Sequence, residues 1–239
     1  MAAARETVAS LGRRALRLAH RGDWRSAPEN SVGALIAATR LPGVDGVEFD
    51  VRAARDGVPV VIHDADLRRV QGLRARVRDL SAAELGRLGV PTLEEVLVAL
   101  PRGAFLDVEL KEDVGREAIP VLAGARGPGL ARAVVSSFEA AALRTVGCLA
   151  PAWPRWLNTV ALDGAVLARA RRLGCRGIAA EWHAIDASTA ELVARAGLEL
   201  AAWTVRREAT ARRLERLGVV AICVEGPALG VVHEDVVDR

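Results

Sequence analysis

The stretch Gly46-Val47-Glu48-Phe49-Asp50-Val51-Arg52 alternates apolar and charged side chains. Successive side chains of a β-strand point to opposite faces, so this stretch predicts a strand with one apolar and one ionic face. The stretch Ala104 to Lys111 repeats the pattern, with Asp107, Glu109 and Lys111 on its ionic face. Alternation of this kind is also typical of a solvated antiparallel sheet. The arrangement of the remaining elements therefore decides the fold.

Extended apolar stretches alternate with helical stretches along the whole chain. Strands are predicted at Ala15 to His20, Gly46 to Arg52, Val58 to His63, Ala104 to Lys111, Arg132 to Phe138, Cys148 to Trp156, Gly177 to Trp182, Glu199 to Val205 and Val219 to Glu225. Helices are predicted at Ser31 to Leu41, Thr92 to Leu100, Ala140 to Val146, Asp163 to Leu173, Ser188 to Ala196 and Glu208 to Leu217. Several of these helices are expected to end at a glycine, for which Gly147, Gly174, Gly197 and Gly218 are the candidates.

Counting 46–52 and 58–63 as one bent pair leaves eight strand-then-helix steps, in a length near the roughly 250 residues of a (β/α)8 barrel. We therefore predict an α/β fold, a (β/α)8 TIM barrel that forms a single domain over residues 1–239. The alternative is a doubly wound open sheet. It is less favoured because Arg21-Gly22-Asp23-Trp24 does not match the glycine-rich turn expected after its first strand.

Composition excludes several classes of protein. The chain has 239 residues, 51% of them hydrophobic and 26% charged, which excludes a disordered chain. No apolar run approaches the roughly 18 residues that a membrane span needs, so we expect a cytoplasmic protein without stable membrane insertion. The net charge is only +3 and no cluster of basic residues predicts nucleic-acid binding. Three cysteines, without the spacing of a zinc or redox site, are predicted to be buried thiols.

In a closed barrel the helices cover the outer strand face, which takes the apolar side chains and sends the ionic face inward. The side chains predicted inside are Glu48, Asp50, Asp107, Glu109 and Lys111. Unpaired ions there would cost several kcal/mol each, and an excess of carboxylates suits a divalent cation such as Mg²⁺ or Ca²⁺. Glu48 and Asp50 can point at the same ion, and Glu109 supplies a third ligand. Asp107 is predicted to be structural, paired with Arg52 or a neighbouring polar group.

Basic groups at this end of the barrel complete a candidate active site. Lys111 is the only lysine among 33 basic residues, which predicts a role that arginine cannot fill. His20 and His63 both end predicted strands, where barrel active sites are built. We interpret them as a general acid and a general base beside a metal-bound group. His183 and His233 are given no catalytic role.

The five tryptophans all lie at or just after predicted strand ends. They are Trp24, Trp153, Trp156, Trp182 and Trp203. Their grouping predicts aromatic walls around the mouth of the barrel for an organic substrate group.

These residues stand in motifs that resemble those of the glycerophosphodiester phosphodiesterases. The matching segments, in order, are Ala19-His20-Arg21-Gly22, Pro28-Glu29-Asn30-Ser31, Gly46-Val47-Glu48-Phe49-Asp50-Val51, Asp56-Gly57-Val58-Pro59-Val60-Val61-Ile62-His63-Asp64, Pro91-Thr92-Leu93-Glu94-Glu95-Val96-Leu97 and Glu109-Leu110-Lys111. The resemblance implies a (β/α)8 barrel, a divalent metal, and hydrolysis of a small-molecule glycerophosphodiester to glycerol 3-phosphate and an alcohol.

The resemblance also implies roles for individual residues. It makes His20 and His63 the acid and base pair, and Glu48, Asp50 and Glu109 the metal ligands. It makes Arg21 and Lys111 the phosphate contacts, and Trp203 a residue that lines the pocket. The sequence departs from the family pattern near its end, where Arg206 stands for asparagine and Val224-Glu225 for Thr-Asp. The segment between His63 and Pro91 is also short, at the place where the family commonly carries an insertion.

Two other functions remain open at this point. One keeps the barrel and the metal but acts on lipid substrates, as a lysophospholipase D or phospholipase-like phosphodiesterase, which tryptophans at the mouth would favour. The other is a catalytically inactive barrel that binds a phosphate ligand, which would be expected to lose a histidine or a metal carboxylate. The sequence makes no prediction of the oligomeric state.

Overall fold

The structure is a computed structural model that describes residues 14–229. In that range the strands are β1 (Leu16–His20), β2 (Gly46–Ala53), β3 (Pro59–Val61), β4 (Phe105–Leu110), β5 (Ala133–Ser137), β6 (Arg155–Thr159), β7 (Gly177–Glu181), β8 (Glu199–Val205) and β9 (Ala221–Val224). The helices are α1 (Val32–Thr39), α2 (Arg68–Gln71), α3 (Ala82–Arg87), α4 (Leu93–Ala99), α5 (Gly115–Arg126), α6 (Ala140–Leu149), α7 (Gly164–Arg172), α8 (Ala187–Arg195) and α9 (Glu208–Arg216). None of these helices has the length and apolar character needed to cross a membrane. His233 lies outside the described residues.

Eight of the strands close into a parallel barrel. Hydrogen-bonded neighbours follow the order β1-β9-β8-β7-β6-β5-β4-β2, and β1 pairs with β2 to complete the ring. Strand β3 lies beside this ring, antiparallel to β2, with Val61 opposite Val51. The predicted single-domain (β/α)8 barrel is confirmed, and so is the interpretation of β2 and β3 as one bent pair.

The two faces of the barrel strands carry different side chains, as the alternation in β2 predicts. Val47, Phe49 and Val51 point outward and are fully buried in a core that includes Leu93 and Val96 of α4. Helix α4 starts where the Thr92 hydroxyl accepts from the backbone N–H of Glu95 and the Glu95 carboxylate accepts from that of Thr92. Burial of one apolar face under helices thus leaves the charged face for the interior.

A second apolar cluster closes the amino-terminal end of the barrel interior. It contains Leu16, Leu18, Phe105, Val134, Trp156, Ala179, Ala201, Ala221 and Cys223. Within it the Trp156 ring stacks on Phe105 at a centroid distance of 6.5 Å. The interior is therefore open only at the carboxyl ends of the strands, where side chains from several strands can meet.

The predicted strand at Cys148 to Trp156 overlaps the observed strand only at its last two residues, Arg155 and Trp156. Helix α6 continues to Leu149, and the strand begins only at Arg155. Pro151 and Pro154 occupy the connection, and proline lacks the N–H that either a helix interior or a strand ladder would use. The apolar run across this boundary thus belongs to two elements.

Three of the predicted helix-ending glycines are confirmed. Gly174, Gly197 and Gly218 each follow a helix with φ of +64°, +68° and +81°, the left-handed conformation that glycine adopts without steric cost. Gly147 is an error in the prediction, because it lies inside α6.

The prediction of buried thiols holds for two of the three cysteines. Cys175 and Cys223 are buried, whereas Cys148 lies exposed in the last turns of α6. The extension of α6 past the predicted helix end places Cys148 on the solvent side of a helix.

Candidate active site

A cavity of about 220 Å³ opens at the carboxyl ends of the barrel strands. It is lined by His20, Arg21, Glu48, His63, Asp107, Glu109, Lys111, Ser136, Phe138, Asn158, Ala179, Trp203, Thr204 and Cys223. Seven of the eight residues that the sequence predicts for the site therefore share one cavity. The eighth, Asp50, lies directly behind it and contacts Arg21 and Lys111.

Three carboxylates converge at this cavity. Glu48 and Asp50 lie two residues apart on β2, and Glu109 on β4 stands opposite Asp50 in the parallel register. One oxygen from each lies within 4.8 Å of the others, as a shared cation would require. Glu48 Oε1 is buried and has no hydrogen-bond partner within the described residues. A set of three carboxylates with an unsatisfied buried oxygen fits a hard divalent cation such as Mg²⁺ or Ca²⁺.

Burial affects the carboxylates differently according to their neighbours. Burial, reinforced by the charges of Asp50 and Glu109, raises the pKa of Glu48 well above its ordinary value. Burial acts on Asp50 in the same direction, but Arg21 and Lys111 outweigh it and hold the pKa of Asp50 below its ordinary value. The cluster therefore carries more negative charge than its own cations neutralise, which a bound divalent ion would relieve.

Two cations flank the carboxylates. Arg21 Nε lies 3.1 Å from Asp50 Oδ2, and Arg21 Nη1 donates to Glu29 Oε1 at 3.0 Å. Lys111 Nζ donates to Glu109 Oε1 at 2.7 Å and lies 3.6 Å from Asp50 Oδ1. Both side chains are mostly buried, so their charges are weakly screened by water.

Each cavity histidine is held at Nδ1 by a carboxylate. His20 Nδ1 lies 2.8 Å from Glu225 Oε2, and His63 Nδ1 lies 2.6 Å from Asp64 Oδ1. A carboxylate at Nδ1 stabilises the tautomer whose Nε2 accepts a proton, and it orients the ring. Burial lowers the pKa of His63 below its ordinary value, and the charges of Arg21 and Lys111 act in the same direction.

Glu225 was not predicted as a site residue, although it stands in a departure from the family pattern. Its second oxygen, Oε1, accepts from Arg206 Nε, and Arg206 is the other departure. The hydrogen bond from His20 lowers the pKa of Glu225 to about 2. The two residues that depart from the family pattern, Arg206 and Glu225, therefore contact each other. They are 19 positions apart, so the sequence alone does not show this contact.

Asn30 is a second residue that sequence reasoning missed, although it stands in a quoted motif. Its Nδ2 donates to Asp50 Oδ2 at 2.9 Å and its Oδ1 accepts from the Asp50 backbone N–H. The contact is fully buried and fixes the orientation of the carboxylate. Only the fold brings the two together, because they are twenty residues apart.

Arg69 of α2 links the outer parts of the site. Its Nε donates to Asp64 Oδ2 at 2.7 Å, and its Nη atoms donate to both oxygens of Glu29 at 2.7 Å and 2.6 Å. Asp64 also binds His63, and Glu29 also binds Arg21. Arg69 therefore connects the carboxylate that contacts a catalytic candidate with the carboxylate that contacts a phosphate-binding candidate. The short segment between His63 and Pro91 supplies it.

Arg52 is not the partner of Asp107. The other predicted partner was a neighbouring polar group, and a side-chain hydrogen bond from Ser136 does lower the pKa of Asp107 against the effect of burial. Arg52 Nε donates to the His63 backbone carbonyl at 2.8 Å, and its guanidinium lies 3.6 Å from Glu112. Asp107 lines the cavity instead, and burial raises its pKa to about 7. Arg52 lies where β2 leaves the barrel toward β3, beyond the reach of the deeper Asp107.

The tryptophans do not form a ring around the mouth. Trp203 lines the cavity and meets Phe138 edge to face at 5.5 Å, as the pocket role predicts. Trp156 lies in the apolar cluster at the opposite end of the barrel, and Trp153 is buried in the core among the helices. Trp182 stacks on exposed His183 outside the cavity. The error follows from the misplaced start of β6. The prediction put Trp153 and Trp156 at the carboxyl end of this strand, whereas the strand begins at Arg155, so both lie near its amino end.

Comparisons with known proteins give a consistent result. The model of the glycerophosphoryl diester phosphodiesterase family matches residues 20–229. A glycerophosphodiester phosphodiesterase from Caldanaerobacter subterraneus subsp. tengcongensis is 30% identical over 232 residues, which cover 88% of this chain and 93% of that protein.

Solved structures agree with the sequence relatives. A phosphodiesterase from Oleispira antarctica, in complex with the product sn-glycerol-3-phosphate, is similar with a TM-score of 0.78 and 27% identity, covering 90% of this chain and 94% of that one. A glycerophosphodiester phosphodiesterase from Agrobacterium tumefaciens has a TM-score of 0.75 and 26% identity, covering 90% and 98%. The chain therefore belongs to the glycerophosphoryl diester phosphodiesterase family and is a phosphoric diester hydrolase.

Proposed function

We propose that this chain hydrolyses glycerophosphodiesters to glycerol 3-phosphate and an alcohol, using a divalent metal and the His20 and His63 pair. The observation that carries the proposal is the set of side chains at the cavity described above. Two histidines, each held at Nδ1 by a carboxylate, stand there beside three converging carboxylates and two buried cations.

Arg21 and Lys111, together with a bound divalent ion, would suit a phosphodiester anion. Such an anion repels nucleophiles until its charge is compensated. A divalent ion held by Glu48, Asp50 and Glu109 would supply positive charge at the phosphate oxygens. Arg21 and Lys111, which flank those carboxylates, bind the remaining oxygens and stabilise the charge that develops in the transition state.

The two histidines divide the proton transfers. Since the pKa of His63 is lowered, its ring suits the general base at neutral pH, which removes a proton from water or from the glycerol 2-hydroxyl. In the second case the 2-hydroxyl displaces the alcohol and forms a cyclic phosphate, which water then opens to glycerol 3-phosphate. His20 then gives a proton to the departing alcohol oxygen. Glu225 supports this role, because its contact with Nδ1 orients the His20 ring and leaves Nε2 free for the transfer.

The alternatives have less support. A lipid substrate was favoured by tryptophans at the mouth, but Trp153 and Trp156 lie elsewhere. A catalytically inactive barrel would not need both histidines and all three carboxylates in one place. The hydrolase proposal uses every one of these groups.

The test follows release of glycerol 3-phosphate from glycerophosphocholine by the purified protein, with Mg²⁺, Ca²⁺ or EDTA. We expect release with at least one metal and none with EDTA. Lysophosphatidylcholine serves as the lipid comparison and should be a poor substrate. Absence of glycerol 3-phosphate with either metal, or equal release in EDTA, would contradict the proposal.

A further inference from the structure

A second cavity, which we call the outer cleft, lies on the outside of the barrel between α4 and α5. Its volume is about 650 Å³, larger than that of the active-site cavity, and no residue lines both. Its apolar lining includes Leu97, Val98, Pro120, Val121 and Ala125. An apolar cleft of several hundred Å³ is typical of a binding surface. The outer cleft is therefore a candidate interface that the hydrolysis reaction does not use.

Val98 projects beside the outer cleft. It is 82% exposed, the highest value among the exposed large hydrophobic residues that the structure describes. Across the cleft, Gly124 of α5 has open space where a side chain would begin. One face of the protein thus carries an apolar projection next to an apolar recess. This arrangement lets two identical surfaces pack against each other.

Opposite charges stand on either side of Val98. Glu94 lies four residues before it in the first turn of α4, and Arg102 lies four residues after it, just beyond the end of that helix. Both are exposed and line the outer cleft. Within residues 14–229 neither side chain has a hydrogen bond or an ion pair. The cleft therefore has a negative end, an apolar centre and a positive end.

Both ends of the cleft are held in place by the fold. The buried guanidinium of Arg126 donates to the backbone carbonyls of Arg102 and Ala104, each at 2.9 Å. It also donates to the carbonyl of Pro101 at 3.2 Å. At the other end, the capping box of Thr92 fixes the start of α4. Because the backbone is already ordered, little conformational entropy would be lost on association.

The order of charges along the cleft is complementary to itself under a twofold axis. When two copies meet with their α4 helices antiparallel and Val98 close to the axis, Glu94 of each copy faces Arg102 of the other. Two equivalent ion pairs then flank the apolar contact. A small apolar ligand in the cleft would leave both charges unused. The charge pattern therefore favours a second copy of this chain as the occupant.

We propose that α4 and α5 form the interface of a twofold-symmetric dimer, in which Val98 of each copy enters the outer cleft of the other. A standard interface buries about 800 Å² on each partner. Two helices of 7 and 12 residues provide a face at the small end of the range, so we expect a weak dimer with a Kd of about 10 µM. The active-site cavity shares no residue with the outer cleft, so dimer formation leaves its lining unchanged.

Sedimentation velocity of the purified protein, from about 1 µM to about 0.5 mM, tests the dimer. We expect the wild type to pass from monomer to dimer over this range and Val98→Asp to remain monomeric. The matched control is Val160→Asp, which adds the same charge at another valine. Val160 is 68% exposed and lines neither cavity, so this variant should associate as the wild type does. Since both valines are exposed, neither substitution disturbs the core.

Charge reversal tests the pairing itself. Glu94→Arg and Arg102→Glu each place like charges across the axis, so each variant alone should associate at least about tenfold more weakly. An equimolar mixture of the two variants should recover the dimer, because every contact across the axis then joins opposite charges. A wild type that is still monomeric at about 0.5 mM overturns the proposal. A dimer that Val98→Asp does not weaken, or a mixture that associates no better than its components, overturns it as well.

Discussion

Replacing Glu225 by glutamine perturbs one contact of the site and keeps the side-chain size. Glu225 Oε2 lies 2.8 Å from His20 Nδ1, and the residue is 7% exposed. The amide would remove the negative charge and could present its NH₂ group to the ring. His20 Nδ1 would then lose the carboxylate acceptor that orients the ring for proton transfer from Nε2.

The magnitude follows from the kind of contact. A hydrogen bond to a charged partner contributes about 1.5 to 3 kcal/mol, which corresponds to a loss of about 10- to 200-fold in kcat if it acts in the transition state. Because the pKa of Glu225 is about 2, the carboxylate stays ionised over any practical assay range and only substitution removes its charge.

The assay is steady-state release of glycerol 3-phosphate from glycerophosphocholine, with metal content and thermal unfolding measured on the same samples. Arg206→Gln is the matched control. It removes the other partner of the same carboxylate, but its side chain is 74% exposed, so we expect a loss below about threefold. The reasoning is refuted if Glu225→Gln keeps wild-type kcat, or if Arg206→Gln loses as much as Glu225→Gln.

Further predictions concern other groups of the site. Lys111→Arg should lower kcat/KM about 100-fold or more in a folded protein, because a planar guanidinium is a poor replacement for the compact ammonium held between Glu109 and Asp50. Wild-type turnover would show that the site does not need a lysine here. The acid limb of kcat/KM should have its midpoint below the ordinary histidine value of 6.5, since burial lowers the pKa of His63. Asp64→Asn should move that midpoint lower still, because the Asp64 hydrogen bond raises the pKa of His63; an upward shift in the pH profile would contradict the assignment. In EDTA the metal-free protein should lose stability as pH rises above 4.5, the ordinary glutamate value, because burial and the charges of Asp50 and Glu109 raise the pKa of Glu48 on folding; thermal unfolding over a pH series measures this, and a stability that does not fall would contradict it.

The strand faces could be predicted because alternation in β2 and β4 is a local property of the sequence. Glu48, Asp50 and Glu109 share one face by the period of a strand, and the closed barrel turns that face inward. Helix α5 was missed because Pro120 lies inside it, and proline ordinarily argues against a helix interior. The junction of α6 and β6 was misplaced because an apolar run has no period that separates the two.

The contacts that hold the catalytic and binding side chains in place could not be predicted, since they join segments that are distant in the sequence. Arg69 meets Glu29 across forty residues and Glu225 meets His20 across 205. No local pattern marks such pairs. Asn30 and Asp64 stood in quoted motifs, but their partners follow only from the closure of the barrel.

The central claim is that His20 and His63 act as acid and base beside a metal held by other residues. Its most direct test measures kcat for glycerophosphocholine and bound metal on the same samples of His20→Ala and His63→Ala. The account predicts that each variant keeps its metal and loses about 10²-fold or more in kcat. Near-wild-type turnover in either metal-loaded variant would contradict it.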